Sequence, residues 1–356
     1  MRRQWFAVAT PGLEPIVARE LSLFGVEGVQ VPGGVQFRAP LEAGCMLTCQ
    51  LRTPARLLLR LARGDVRNLS ALAGLIHSVD WGPLLFPGDP VEVAVSSSRS
   101  RLRRREAIAK KASVALRDAL RKRERGRSLR IPQRLHVRIE DDRATLSLDA
   151  GGELLHRRGW RQSATTAPIR ENLAASMLMA AGWAGDESLV DPFCGSGTIP
   201  IEAALLAAGR RPWTRRRFAW QGWRALQSVR LPQEDRLALN VAIYGIDHSP
   251  KALVAAKENA DRADVVVNWG EMDIAHLKID APPGLVIANP PYGGRLGQNV
   301  KGVFSRFGRT LRSEFEGWRV LFLAPDPELA RLVSARVFRL THFRNGGIGV
   351  GIYVIE

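Results

Sequence analysis

A chain of 356 residues that is 46% hydrophobic carries enough apolar side chain for two or three cores. Its 52 Lys and Arg against 35 Asp and Glu leave a net charge of +17, which points to a polyanionic partner such as nucleic acid. Three cysteines, at 45, 49 and 194, are too few for a disulfide framework or a zinc site, so no metal is expected and the compartment reads as reducing. No run of eighteen apolar residues could span a membrane, and Pro11, Glu14 and Pro15 interrupt any signal core behind the basic start, so the expectation is a cytoplasmic protein.

Trp5–Thr10 alternates as a strand, Leu13–Phe24 shows helical apolar spacing and Gly33–Arg38 returns as a strand, which makes residues 1–65 a small α+β leading domain. Leu47–Leu61 fits either a helix or a strand. Beyond Ala71 the composition shifts. Trp81-Gly-Pro and Pro87-Gly-Asp-Pro90 are turns, and Val91–Ser97 alternates as a strand. Arg99, Arg101, Arg103, Arg104 and Arg105 then lead into a helix from Glu106 to about Arg125 that adds Lys110, Lys111, Arg117, Arg121, Lys122 and Arg123. Only Glu106, Asp118 and Glu124 oppose them. Charge this one-sided suits a phosphate surface that positions RNA through counterion release, with a solvated helix face as the alternative. Arg134–Ile139 and Ala144–Asp149 close a second domain, 66–160, as a hairpin across Glu140-Asp-Asp. Gly159–Ala167 links to a third domain, 161–356, which opens with an amphipathic helix at Pro168–Ala181.

Within that third domain Ser188–Asp191 reads as a buried strand that breaks at a glycine-rich turn and re-enters order as a helix from Ile199. Gly195 and Gly197 let the backbone approach a ligand, and the helix start offers unpaired N–H groups, the makings of a nucleotide-cofactor site. No lysine lies between Asp191 and Arg210, which excludes a P-loop, and Pro200 stands where a dinucleotide fingerprint has its third glycine. An insertion at Arg210–Arg230 sets Arg215, Arg216 and Arg217 beside Trp213, Trp220 and Trp223, either as a clamp that stacks RNA bases or as aromatic pins onto the domain. Ala242–Ile246 is a strand ending at Asp247, an acid suited to ribose hydroxyls, and helix Pro250–Asn259 leads to a strand at Val265–Asn268 and to Glu271-Met-Asp273. Leu285–Ala288 is another buried strand, stopped at Asn289 because Pro290 and Pro291 cannot continue a ladder. Gly293–Gly302 reads as a lip over the site, and helix Phe304–Glu316, strand Val320–Ala324 and hairpin Val337–Ile355 follow. The alternation predicts a doubly wound, mainly parallel α/β sheet with Asp191 and Asn289 facing one crevice.

Asp191-Pro-Phe-Cys-Gly-Ser-Gly-Thr198 followed by Asn289-Pro-Pro-Tyr292 resembles the class I (Rossmann-like) S-adenosylmethionine-dependent methyltransferases that act on exocyclic or amide nitrogens. With Ala167-Pro-Ile-Arg-Glu-Asn-Leu-Ala174 ahead of it, the set is similar to the THUMP-domain RNA guanine-N2 methyltransferases, the bacterial 23S ribosomal RNA enzymes above all. Phe6–Glu14 and Gly33–Phe37 resemble that family's ferredoxin-like leading domain, and Gly152–Trp160 the exit of its THUMP module. The resemblance implies S-adenosylmethionine as cofactor, held by Asp191, Pro192, Phe193, Cys194, Gly195, Ser196, Gly197 and Thr198, with Asp247 on the ribose and Asp273, or Glu271 in its place, on the adenine. Arg170 and Glu171 would lie near the cofactor or serve as caps.

It also implies that the Asn289 side-chain oxygen and the Pro290 carbonyl accept the hydrogen bonds of a guanine amine, with Pro291 in the same turn and Tyr292 stacked on the base. Arg99, Arg101, Arg103, Arg104, Arg105, Lys110, Lys111 and Arg121 would hold RNA, 23S rRNA ahead of tRNA, in a monomer carrying one methyltransferase domain. Adenine-N6 or cytosine-N4 methylation of DNA, glutamine methylation of a protein, and a non-catalytic RNA-binding assembly factor are the rival readings.

Overall fold

A computed structural model describes residues 2–121, 128–163, 168–213, 216–231, 240–292 and 300–355. The first half runs β1 (Arg2–Val8), α1 (Glu14–Leu23), β2 (Gly28–Val31), β3 (Gly34–Pro40), α2 (Leu41–Gln50), β4 (Arg56–Asp65), α3 (Leu69–His77), β5 (Val91–Ser98), α4 (Arg105–Arg121), β6 (Gln133–Glu140) and β7 (Arg143–Asp149). The second half runs α5 (Glu171–Ala180), β8 (Leu189–Asp191), α6 (Thr198–Ala207), β9 (Ile243–Asp247), α7 (Pro250–Ala263), β10 (Asn268–Glu271), β11 (Leu285–Ala288), α8 (Val300–Glu314), β12 (Arg319–Ala324), α9 (Pro327–Val333), β13 (Val337–Asn345) and β14 (Ile348–Ile355). The ambiguous stretch Leu47–Leu61 is therefore the end of α2 and the start of β4. No helix among the described residues is long and apolar enough to cross a membrane.

The first sheet has the order β2-β3-β1-β4-β7-β6-β5. Its β4 pairs antiparallel with β1 through Arg56–Leu59 and with β7 through Leu58–Asp65. The boundary drawn at residue 65 thus runs through one hydrogen-bonded layer over one core, in which Trp5 and Leu57 share a cluster with Leu116 and Leu146. Pairing of residue 58 with residue 149 carries no local sequence signal. The β6–β7 turn is Asp141-Asp142, both at positive φ (50° and 59°), the backbone that a two-residue hairpin requires.

The second sheet has the order β10-β9-β8-β11-β12-β14-β13, parallel from β10 to β12, with the last hairpin antiparallel. Alternate residues of β11 feed opposite cores: Leu285 and Ile287 pack with Leu173 and Ile199, whereas Val286 and Ala288 pack with Phe304 and Phe307. Cover on both faces is why this strand reads as an unbroken apolar run. The helix expected to be amphipathic, α5, is instead buried throughout Glu171–Leu178. The first half covers the face that would otherwise be wet, with Arg19 donating to the Met179 carbonyl (3.2 Å) and Asn172 to that of Thr53 (3.2 Å).

The insertion after α6 also turns inward. Trp213, Trp220 and Trp223 are 7%, 0% and 0% exposed, and their indole N–H groups donate to the Cys49 carbonyl, Thr48 Oγ1 and Gln133 Oε1. Trp223 stacks on Trp5 at 6.4 Å between centroids. Rings without an open face cannot stack on bases, so the clamp reading of these tryptophans is corrected; they complete the core of the first sheet. Arg215 lies outside the described residues.

Glu202 on α6 locks the halves together. Its carboxylate accepts from Arg158 Nε (3.0 Å) and lies 3.6 Å from Arg52 Nη1, with both Glu202 and Arg158 fully buried. Arg52 donates onward to the carbonyls of Leu205 and Arg210, while the backbone N–H groups of Arg52 and Thr53 both point at the buried Glu20 carboxylate. Burial lowers the Arg52 pKa and raises that of Glu20. Glu202→Ala would strand two buried guanidinium groups, and by urea unfolding it is expected to cost about 3–5 kcal/mol, with Glu202→Gln costing less. A loss within error of zero would show that the cluster is not a lock.

His156 precedes this cluster, and burial first, then the charges of Arg170, Arg158, Arg157 and Arg161, push its pKa from 6.5 down to about 4. Below pH 6.5 the unfolded chain binds a proton that the folded imidazole refuses. Its stabilising contribution is therefore complete above pH 6.5 and is lost as pH falls toward 4. The melting temperature of His156→Gln relative to wild type is expected to be higher at about pH 5 than at about pH 7.5; the same difference at both values would exclude His156 as the titrating group.

Candidate cofactor and substrate site

Strands β8, β9, β10 and β11 end side by side, which sets Asp191, Asp247, Glu271 and Asn289 along one sheet edge. Behind Asp191 the chain turns with Gly195 at φ 53° and Gly197 at φ 83°. Gly197 sits at the N-terminus of α6, and a Cβ on it would come within 2.7 Å of the Trp269 ring and 3.1 Å of Ala256. Only glycine combines that left-handed backbone with that approach. The turn is tied to β9 by Cys194 N–H donating to the Ile246 carbonyl and Gly195 N–H to Asp247 Oδ2, both at 2.9 Å.

Asn259 is a positioning residue that sequence reasoning missed. It is fully buried on α7, where its amide donates to the carbonyls of Ser196 (3.1 Å) and Ser163 (2.8 Å) while its Oδ1 accepts from Gln162 and Ser163 N–H. It thereby fixes the glycine turn against the segment entering this domain. The signal was an asparagine beside a stripe of buried alanines, Ala252, Ala256 and Ala260.

Asp191 is 1% exposed, and burial holds its carboxyl well above the usual range; the Phe193 N–H (3.1 Å) pulls the other way and the Asp247 charge adds to the rise. Neither acid has a Lys or Arg partner among the described residues; His248 Nδ1 lies 3.5 Å from Asp247. Asp247 accepts from Gly195 and Ser249 N–H and keeps a further lone pair on each oxygen for outside donors. Burial, then Asp191 and Asp247, raise the Cys194 thiol, so it is a packing residue of the turn and not a thiolate. A sheet edge with two neighbouring acids and no lysine or arginine paired to them among the described residues fits a cationic ligand, and S-adenosylmethionine brings both a sulfonium and an ammonium. Ser196 Oγ is buried there without a partner among the described residues.

Asp273 sits near the same edge, its Oδ1 capping Ala275 N–H (2.8 Å), while Glu271 is the register partner of Asp247. The strand expected at Val265–Asn268 begins at Asn268 because α7 continues to Ala263 and ends with Asp264 in the left-handed region.

On the other side, Asn289 Oδ1 is buried with no hydrogen-bond partner among the described residues. Pro290 is buried beside it. The Tyr292 hydroxyl accepts from Asn345 Nδ2 at 2.7 Å, so the ring is fixed by the β13 terminus, and burial raises its pKa. Most of the expected lip, 293–299, lies outside the described residues.

The basic candidates divide. Arg99 pairs with Glu140 (2.7 Å) and Asp141 (2.9 Å), Arg101 with Asp142 (3.3 Å) and Arg121 with Asp118 (3.7 Å). Arg103 reaches the Ser100 carbonyl (3.4 Å), whereas Arg104, Arg105, Lys110 and Lys111 have no ion-pair partner among the described residues. Lys122, Arg123 and the end of that helix lie outside the described residues.

A parallel sheet with a glycine turn, an acidic strand-end pair and an Asn-Pro-Pro-Tyr segment defines the S-adenosylmethionine-dependent methyltransferase class. A family model described as the RMKL-like methyltransferase domain matches residues 158–353, and one described as the RlmL ferredoxin-like domain matches residues 4–58. The chain belongs to the RMKL-like methyltransferase family. It is 36% identical over 379 residues to the ribosomal RNA large subunit methyltransferase K/L of Methylococcus capsulatus, covering 100% of this chain and 51% of that protein. To the K/L enzyme of Syntrophotalea carbinolica it is 34% identical over 372 residues, covering 97% and 52%. The chain spans about half the length of the curated relatives it matches. Among solved structures, SMU.472 complexed with SAH superposes with a TM-score of 0.89 at 25% identity over 99% of this chain and 98% of that one. TrmN from Thermus thermophilus shares the fold, with a TM-score of 0.72 at 22% identity over 100% and 99%.

Asp247→Ala, which removes a strand-end carboxylate, is expected to weaken S-adenosylhomocysteine binding at least about tenfold by calorimetry, while Arg121→Ala leaves it unchanged. Equal affinities for Asp247→Ala and wild type would remove Asp247 from the cofactor site.

Proposed function

We propose that this chain transfers a methyl group to the exocyclic N2 of a guanosine in structured RNA, with 23S rRNA as the substrate. The buried Asn289 Oδ1 beside the acidic strand ends, without a partner among the described residues, carries the reading, because a desolvated acceptor needs a donor and an exocyclic amine brings one. The names of the half-matched K/L relatives support ribosomal RNA, and the net charge of +17 supports a polyanion.

Asp191, the 193–198 turn and Asp247 would hold S-adenosylmethionine, which supplies an electrophilic methyl group. The guanine amine is a poor nucleophile because its lone pair is delocalised into the ring. Asn289 Oδ1 and the Pro290 carbonyl accept its two N–H groups and aim the nitrogen, and Tyr292, held by Asn345, offers a fixed plane for the extruded base. As the N–C bond forms and the S–C bond breaks, the surplus amine proton leaves to water, so no strong base is needed.

Nucleoside mass spectrometry of 23S rRNA and tRNA, kept separate, from cells with and without the gene is expected to show N2-methylguanosine lost from the 23S pool. Loss from tRNA alone would reassign the substrate, and loss from neither would overturn the reading. Asn289→Ala is expected to lower transfer at least about a hundredfold with S-adenosylhomocysteine affinity within about twofold of wild type.

A further inference from the structure

A cavity of about 840 Å³ lies away from the acidic strand ends. It lies in the first half, between the starts of β5 and β6, the 151–159 segment behind β7, and residues 216–219 of the inward-turned insertion. Its size is within the range of pockets that hold small ligands, about 300–1,000 Å³. Among the described residues six arginines line it, 130, 134, 157, 158, 216 and 217, against the carboxylates of Glu92 and Glu153.

Half of those arginines are structural. Arg134 pairs with Glu92 (2.6 Å), Arg158 with Glu202, and Arg216 donates to the carbonyls of Gly151, Glu153 and Leu154 while lying 4.9 Å from the centre of the Trp213 ring. Arg130, Arg157 and Arg217 are the other half. All three are exposed and none has an ion-pair partner among the described residues. Arg130 is held at φ 51°, outside the region that side-chain-bearing residues prefer, with its N–H on Ser128 Oγ (2.9 Å). Apolar side chains also line it: Leu129 is 47% exposed, next to Ile131 and Pro132. The depressed pKa of the neighbouring His156, to which Arg157 and Arg158 both contribute after burial, reports the same positive field.

Exposed guanidinium groups with no ion-pair partner among the described residues, in a cleft also lined by Leu129, Ile131 and Pro132, match what unstacked nucleotides present: phosphates for bidentate forks, and base faces for stacking. A peptide partner would have to be acidic to satisfy the rim and would leave the guanidinium planes without bases to stack on. We propose that this cleft is a binding site for a single-stranded RNA segment, separate from the α4 surface and from the methyl-transfer site. The proposal rests on the RNA methyltransferase reading and adds to it a second point of attachment, which seats an unpaired part of the substrate.

The probe is a 5′-fluorescein oligouridylate of about 12 nucleotides, followed by anisotropy between about 50 and 300 mM salt. Arg157→Ala/Arg217→Ala is expected to weaken binding at least about tenfold and to reduce the log–log salt slope by about 1.4, roughly 0.7 for each single-strand phosphate that is no longer neutralised. S-Adenosylhomocysteine affinity and melting temperature should not change, since both side chains are exposed. In the wild-type protein, a 4-thiouridine oligonucleotide of the same length should cross-link to peptides covering 129–134 or 216–219, a readout that needs no variant. Wild-type affinity and slope in the double variant, cross-links confined to α4, or equal competition by an RNA duplex of the same length would each overturn the site. If the variant loses the oligonucleotide while no RNA is methylated by wild type, the cleft stands and the N2-methylation reading falls. If methylation proceeds and the variant binds as wild type does, only the cleft falls.

Discussion

The buried carboxylate of Glu202, shared by Arg158 and Arg52, is the contact on which the arrangement of the molecule depends. Taking three charges out of water is a poor source of net stability, since apolar residues of the same volume would often do as well. Its consequence is geometric. Helix α6 starts at the cofactor turn and carries Glu202 at its fifth residue, so a clamp on Glu202 is a clamp on that turn. Arg158 belongs to the segment leaving the first sheet, and Arg52 to the loop between α2 and β4. The cofactor edge and the basic half are thereby held at one orientation.

Charge is segregated within this frame. The chain is strongly basic as a whole, yet the strand-end crevice holds Asp191 and Asp247 with no lysine or arginine paired to them among the described residues, and the charge of Asp247 adds to the cost of ionising Asp191. In the proposed reaction a cationic cofactor and a polyanionic substrate would thus be drawn to different surfaces of the same protein. Asn289, at the same strand ends, offers a neutral acceptor, the chemistry that the proposed amine substrate requires. Tyr292 and Asn345 extend that edge with a plane anchored from the terminal hairpin.

The insertion between α6 and β9 serves both halves at once. Its tryptophans close the core of the first sheet, and in doing so they leave Arg216 fixed on backbone carbonyls and Arg217 at the surface. One short segment of the second half therefore builds part of the wall of a cleft in the first.

Much of the second half was legible because its signals are local. Leu285–Ala288 ends where two prolines remove ladder donors, and the glycine turn is written in consecutive residues, so the bounds of β8, α6 and β11 follow from the residues at their ends. The hairpin at Glu140-Asp-Asp was readable for the same reason. The single sheet joining residues 1–65 to 66–160, the burial of α5 and the inward turn of Trp213, Trp220 and Trp223 were decided only in three dimensions. The insertion's partners lie far along the chain, 86 positions apart for Gln133 with Ala219 and 172 for Thr48 with Trp220, and periodicity within a window cannot see them. The sequence by itself determined the family and the methyltransferase class, because the glycine turn and the Asn-Pro-Pro-Tyr segment are particular side chains at fixed spacing. Tertiary structure decided which of the arginines and tryptophans remain open to a ligand, because exposure is set by what the rest of the chain packs against them.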